Sequence, residues 1–332
     1  LLVELQVEEL PPKALRTLGQ AFADALVQGL RAADLVAPDA RVTPYASPRR
    51  LAVHVSGVAA CGADRKVHRK LMPVSVGLAE DGSAKPPLLK KLAALGLDAS
   101  VVADLTREGE GSKAMLFHDD VEPGRTLQTA LQQALQQALA QLPIPKVMTY
   151  QLHHDTALPG WDSVQFVRPA HGLVALHGAE VVPVSVLGLQ AGRSTQGHRF
   201  EAVSNPVQLA DADSYAEALR TQGAVIASFA ERRALVAEQL QAATARAGEG
   251  LAIVEDEALL DEVAALVERP NAVVCRFEEE FLEVPPECLI LTMKANQKYF
   301  PLRRAEGTLS NRFVVVSNIT PDDDSAVVGY RH

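Results

Sequence analysis

The chain has 332 residues, 48% of them apolar and 22% charged. That is the balance of a folded globular protein rather than a disordered, collagen-like or coiled-coil one, and at about 150 residues per domain the length predicts two domains. The longest apolar run, Val181–Leu189, is broken by Pro183 and Ser185 and falls well short of the roughly 18 residues of a membrane span. A net charge of −9 taken alone disfavours a nucleic-acid partner, but the charges are segregated. Arg41–Lys70 carries seven Lys/Arg against one acid, Glu255–Glu287 eleven acids against Arg269 and Arg276, and Cys288–Arg304 four Lys/Arg and no acid. Either the surface has basic and acidic faces, or these are ordinary solvated helix faces. Cys61, Cys275 and Cys288 form no CxxC pair, which fits a reduced, cytoplasmic chain without structural zinc. The first residue is Leu1, so the natural start is expected upstream, and nothing resembles a signal peptide.

From Leu2 the opening residues alternate as in a half-buried strand, and Pro11-Pro12 pre-sets a helix whose stripe is Leu15, Leu18, Phe22, Leu26 and Leu30, ending before Pro38. Leu51–Val58 predicts the next strand. From 61 to 124 periodicity weakens, and an irregular or inserted region is expected, with a strand near Ala114–Phe117 and a helix around Leu88–Leu95. Leu127, Leu131, Leu135 and Leu139 mark an amphipathic helix ended by Pro143-Ile144-Pro145. Leu173–Leu176 and Val181–Leu187 predict a hairpin with a four-residue turn at His177–Glu180. Ser228 and Glu231 have the form of a capping box, and Gly248 is placed to end the helix they start. A helix over Glu257–Arg269 stopped by Pro270, a strand over Ala272–Phe277, a helix from Pro285-Pro286 to about Ala295 and a strand over Phe313–Ile319 complete the order. Interspersed elements with local returns predict an α+β fold, mostly antiparallel sheets with packed helices, in two domains at 1–155 and 156–332.

Short catalytic signatures are absent. Gly109-Glu110-Gly111-Ser112-Lys113 has the wrong order for a phosphate-cradling loop, and no GxSxG, HExxH or GxGxxG occurs. His153-His154-Asp155 is the one cluster with acid–base or metal potential, but neighbouring side chains in extended backbone point oppositely and no third ligand is evident, so neither a catalytic residue nor a metal site is assigned. Four segments instead combine cations with turn or extended backbone. Ser47-Pro48-Arg49-Arg50 sets two guanidinium forks at a strand entry, and Arg168 precedes Pro169 and His171. Gly192–Phe200 sets Arg193, Thr195, His198 and Arg199 among two glycines and an aromatic ring, and Met293–Phe300 carries Lys294, Gln297, Lys298 and Tyr299. Together they offer phosphate donors and stacking rings suited to RNA; the alternative is that these cations cap helices and pair with the acidic segments.

The same segments, with Glu8-Glu9-Leu10-Pro11-Pro12 before them and Leu259-Leu260-Asp261-Glu262-Val263 and Phe281-Leu282-Glu283-Val284-Pro285-Pro286 between the third and the fourth, resemble in order the β subunit of bacterial glycyl-tRNA synthetase over nearly the whole chain. Gln196 stands where that family commonly has Arg. The resemblance implies an N-terminal portion of that subunit, ending near Val327–His332 without the downstream HD-like and anticodon-binding regions. It also implies that glycine activation, with ATP and magnesium, belongs to the α subunit, so that this portion binds no cofactor. Its expected role is to bind tRNA(Gly) and assemble with α as a heterotetramer, or else to act as an assembly scaffold without RNA contact. A hydrolytic editing site at His153, His154 and Asp155 is a third reading that no sequence feature requires.

Overall fold

The computed structural model describes residues 1–144 and 147–320. Pro145, one of the expected helix-ending residues, and the Val327–His332 terminus lie outside them. The chain divides into two compact units, Leu1–Ala60 with the chain from Leu127 onward, and Cys61–Thr126. Both are α+β with mostly antiparallel sheets.

In the first unit, strand β1 (Leu2–Val7), helix α1 (Leu15–Ala32), strand β2 (Val42–Ser47) and strand β3 (Arg50–Val55) form in that order. β1 lies centrally in a seven-stranded sheet, antiparallel to β3 on one side and to the Ala170–His177 strand on the other. Residues on both sides of position 155 therefore share one sheet. Its Val3, Leu5 and Val7 join the apolar stripe of α1 and the Leu127–Ala140 helix, the latter burying Leu127, Leu131, Leu135 and Leu139 as its four-residue spacing requires. The two helices pack closely: a Cβ on Gly29 would lie 2.7 Å from Ala134 Cβ. Each leucine buried here contributes roughly 1.5–3 kcal/mol.

β1 is not half-buried as its alternation predicts, because its second face is covered too. There Leu2 meets Val174, Leu176, Val207, Leu209 and Tyr215, which leaves Glu4 and Gln6 enclosed. The expected hairpin is tighter: His177 pairs with Glu180 across Gly178-Ala179, and after Pro183 a second reversal pairs Ser185–Val186 with Leu189–Gly192. That last strand runs parallel to Ala170–His177.

Ser228 caps the Phe229–Ala247 helix by accepting from Glu231 N at 3.2 Å, and Gly248 ends it. This helix and Glu257–Leu266 pack on a four-stranded antiparallel sheet ordered Ala252–Ile253, Phe300–Arg303, Leu309–Ser317, Asn271–Arg276. The Glu257 helix stops at Leu266, three residues before its expected end, because Val267 is extended and Glu268 bonds outward: its C=O accepts from Ile226 N and its N–H donates to Asn318 Oδ1. The helix at Pro286–Leu291 continues as a π turn over Thr292–Asn296.

The second unit, expected as an irregular or inserted region, is inserted between the two parts of the first and has its own three-stranded sheet ordered Arg65–Pro73, Met115–Glu122, Thr106–Glu108. The Pro86–Ala94 helix buries Leu88 and Leu92 against Leu71, Leu78 and Leu116.

Candidate nucleic-acid interface

Three of the four basic segments meet around β1. Register places Gln6 opposite Arg50 on one side and Gly172 on the other, so the chain leaving β1 at Glu8-Glu9 passes between the first and second segments. Arg168 Nε donates to Glu9 O at 3.0 Å, Arg49 pairs with the Glu9 carboxylate at 3.6 Å, and His171 Nε2 lies 2.8 Å from Glu8 Oε1. The Gly192–Phe200 segment docks on the enclosed face: Gln6 Nε2 donates to Ser194 O at 3.2 Å, and Gln196 N donates to Gln6 Oε1 at 3.1 Å.

Beneath this rim, the turn residue Arg49 and the first strand residue Arg50 differ in burial. Arg49 is half-exposed; Arg50 is 2% exposed. The Arg50 fork donates to Ser47 Oγ (3.0 Å), Glu4 Oε2 (3.2 Å), Thr195 Oγ1 (3.1 Å) and Gln196 O (2.7 Å). Thr195 donates onward to Glu4 Oε1 at 2.5 Å, and the Tyr215 hydroxyl donates to Glu4 Oε2. Burial opposes the Arg50 charge, but Glu4, Tyr215 and Glu268 together outweigh it, and the guanidinium holds its proton more tightly than usual. Burial first, then the Glu4 charge, push the Tyr215 phenol well above its ordinary range. Arg50 and Thr195 thus bind the loop to the sheet rather than presenting donors to solvent.

Other expected contacts are also committed internally. His198 is buried, with Nδ1 accepting from Phe200 N and Glu201 N and Nε2–H donating to Asn318 O. Arg193 donates to Ala179 O at 2.7 Å and to Leu209 O and Ala210 O at 3.4 Å. Tyr299 is buried and stacks on Phe313 with centroids 4.8 Å apart. The fourth segment stands apart from the β1 cluster, along an open groove of about 960 Å³ that Lys13, Arg16 and Leu291 also line. There Lys294 pairs with Asp256 at 3.4 Å and Lys298 with Glu262 at 3.0 Å, while Gln297 is exposed. Facing solvent at least in part are Arg49, Arg168, His171, Arg193, Gln196, Arg199, Phe200, Lys294, Gln297 and Lys298. The exposed pairs on Arg49 and His171 are worth at most about 1 kcal/mol each, so an incoming phosphate can replace those carboxylates at little cost.

Sequence reasoning missed Glu4, Gln6 and Tyr215. It also missed Arg232, which is enclosed and donates to Ala264 O (2.7 Å), Ile226 O (2.8 Å) and Ala46 O (2.8 Å); burial pulls its pKa down to about 9. The only available signal was two polar residues at alternate positions of an apolar strand. His153, His154 and Asp155 are exposed, and among the described residues no three His, Cys, Asp or Glu side chains are grouped to hold a metal ion. No described helix is long and apolar enough to cross a membrane.

These features define an α+β chain whose buried ionic network braces a sheet and whose exposed cations fringe that sheet's end. The family model described as glycyl-tRNA synthetase beta subunit matches residues 1–331, and the chain belongs to that family. It is 63% identical over 337 residues to the glycine–tRNA ligase beta subunit of Dechloromonas aromatica (strain RCB), covering 99% of this chain and 47% of that protein. With the beta subunit of Leptothrix cholodnii (strain ATCC 51168 / LMG 8142 / SP-6) the identity is 64% over 329 residues, covering 99% and 45%. The chain spans about half the length of the curated relatives it matches.

Proposed function

We propose that this chain is the tRNA-binding and assembly portion of a two-subunit glycine–tRNA ligase. It holds tRNA(Gly) so that the terminal ribose hydroxyl meets activated glycine on the α subunit, in a hetero-oligomer. The ATP and magnesium chemistry belongs to that partner, and the contribution of this chain to rate is orientation, which converts a bimolecular encounter into an effectively unimolecular step. The observation that carries the reading is the rim of solvent-facing donors, the guanidinium groups of Arg49, Arg168 and Arg199 with the His171 ring, on a sheet end braced by the Glu4–Arg50 network. Donors of this kind position a polyanion without reading its sequence.

A second reading, an assembly scaffold without RNA contact, is favoured by the commitment of Arg50, Arg193, Thr195, His198, Lys294, Lys298 and Tyr299 to internal contacts. Charge reversal at the two exposed arginines separates them. Arg49→Glu with Arg199→Glu is expected to weaken tRNA binding and raise KM for tRNA in the assembled enzyme while leaving capture of the α subunit intact. Unchanged tRNA binding and aminoacylation would select the scaffold.

A further inference from the structure

We propose that Arg199 and Phe200 form a stacking platform for one unpaired base of an RNA strand, aimed by the buried imidazole of His198. This rests on the RNA-binding reading above and specifies the ligand at one part of it.

Three observations converge on the tip. The loop is closed on itself and on the neighbouring turn: Gly197 N donates to Asn205 Oδ1 at 3.2 Å, His198 N to Gly223 O at 2.6 Å and Val203 N to Gln222 O at 2.8 Å. Gly197 lies so close to Gly223 that a Cβ would sit 2.8 Å from the Gly223 Cα, so the two backbones touch. His198 then anchors the residue that matters. Its Nδ1 accepts from Phe200 N at 3.1 Å and Glu201 N at 3.2 Å, which leaves the proton on Nε2 to donate to Asn318 O at 2.6 Å.

On this fixed mount the Phe200 ring is 76% exposed. The Arg199 guanidinium lies 5.5 Å from its centroid and makes no ion pair among the described residues. Among the described residues, the adjacent acid Glu201 is engaged by Arg269 at 3.4 Å and Thr320 N at 2.5 Å. A solvent-facing ring on an anchored backbone, with a guanidinium beside it that no described acid pairs, suits a base on its face and a phosphate at the guanidinium. An apolar protein pocket closing on Phe200 would instead have to strip water from Arg199 with no carboxylate among the described residues to meet it. A duplex keeps its base faces stacked inside, so the base is an unpaired one.

The test compares fluorescein-labelled oligouridylate with a strand of the same length and phosphate number carrying abasic nucleotides. Anisotropy across a salt series is read with the unaltered chain and with Phe200→Ala, Phe200→Trp, Arg199→Ala and His198→Ala. The unaltered chain is expected to prefer the base-bearing strand. Phe200→Ala should lose about five- to a hundredfold on that strand and nothing on the abasic one, and Phe200→Trp should keep the preference. Arg199→Ala should weaken both strands and reduce the salt slope by about one. His198→Ala should lose base preference while holding the abasic strand as before, which a general loss of structure would not do. Salt-dependent binding that Phe200→Ala leaves untouched overturns the platform and spares the wider reading. Absence of salt-dependent binding by either strand overturns both. Loss of α-subunit capture by Phe200→Ala, with RNA binding retained, makes the tip a protein contact and also overturns the proposal.

Discussion

Replacing Arg50 separates the two roles available to it, brace and phosphate donor. In Arg50→Met the Glu4 carboxylate, fully buried, keeps only the Thr195 and Tyr215 hydroxyls. Leaving an uncompensated buried charge costs about 3–5 kcal/mol. Arg50→Lys keeps the charge, but one ammonium cannot reach Ser47, Glu4, Thr195 and Gln196 together; losing about two hydrogen bonds predicts an intermediate loss of roughly 1–3 kcal/mol. Glu4→Gln with Arg50→Met removes both charges, and the pair should recover about 2 kcal/mol of the single loss. Urea unfolding by far-ultraviolet circular dichroism measures the series, and hydrogen exchange at β1 and β3 assigns the transition to their unit. An Arg50→Met chain within about 0.5 kcal/mol of the original, the range of a surface substitution, would refute the reasoning. So would a double variant no more stable than the single one.

Two further outcomes concern pH. The hydrogen bond to Asp119, then that to Glu108, holds the exposed His68 above its ordinary value. Its contribution to the Cys61–Thr126 unit is therefore full below the unfolded pKa of about 6.5 and lost as pH rises through the higher folded value. His68→Gln should flatten that slope in thermal melts, and an unchanged slope would exclude His68 as its source. Asp256 caps the Glu257–Leu266 helix through Leu259 N at 3.0 Å. That bond, then the charge of Lys294, lowers its carboxyl pKa, so its stabilisation is present above about pH 3.9 and lost as pH falls through the lower folded pKa. Asp256→Ala should cost about 0.5–2 kcal/mol at neutral pH and Asp256→Asn much less; equal losses would contradict the capping role.

Elements with a complete local signal were legible in the sequence. The stripe of α1, the four-residue leucine spacing at Leu127–Leu139 and the Ser228 cap each specify a helix from residues within two or three turns. Burial was not legible where the covering residues lie far away in the chain. Glu4 and Gln6 alternate with apolar side chains as on a wet face, and Tyr215 and Val207, some two hundred residues on, are what enclose it. The same limit acts within the basic segments. Of adjacent Arg49 and Arg50, and of His198 and Arg199, one is buried and the other meets solvent, and the sequence does not say which. Conversely, weak periodicity from 61 to 124 concealed a compact unit because its helix and strands are short.

The central claim is that this chain touches tRNA, and binding of labelled glycine tRNA and a non-cognate tRNA across a salt series, with and without the α subunit, tests it most directly. The account predicts affinity that falls steeply with ionic strength, as released counterions require, and that weakens when Arg49 and Arg199 are reversed in charge. No tRNA binding at any salt concentration, alone or with the α subunit, would contradict it and leave assembly as the function of this chain.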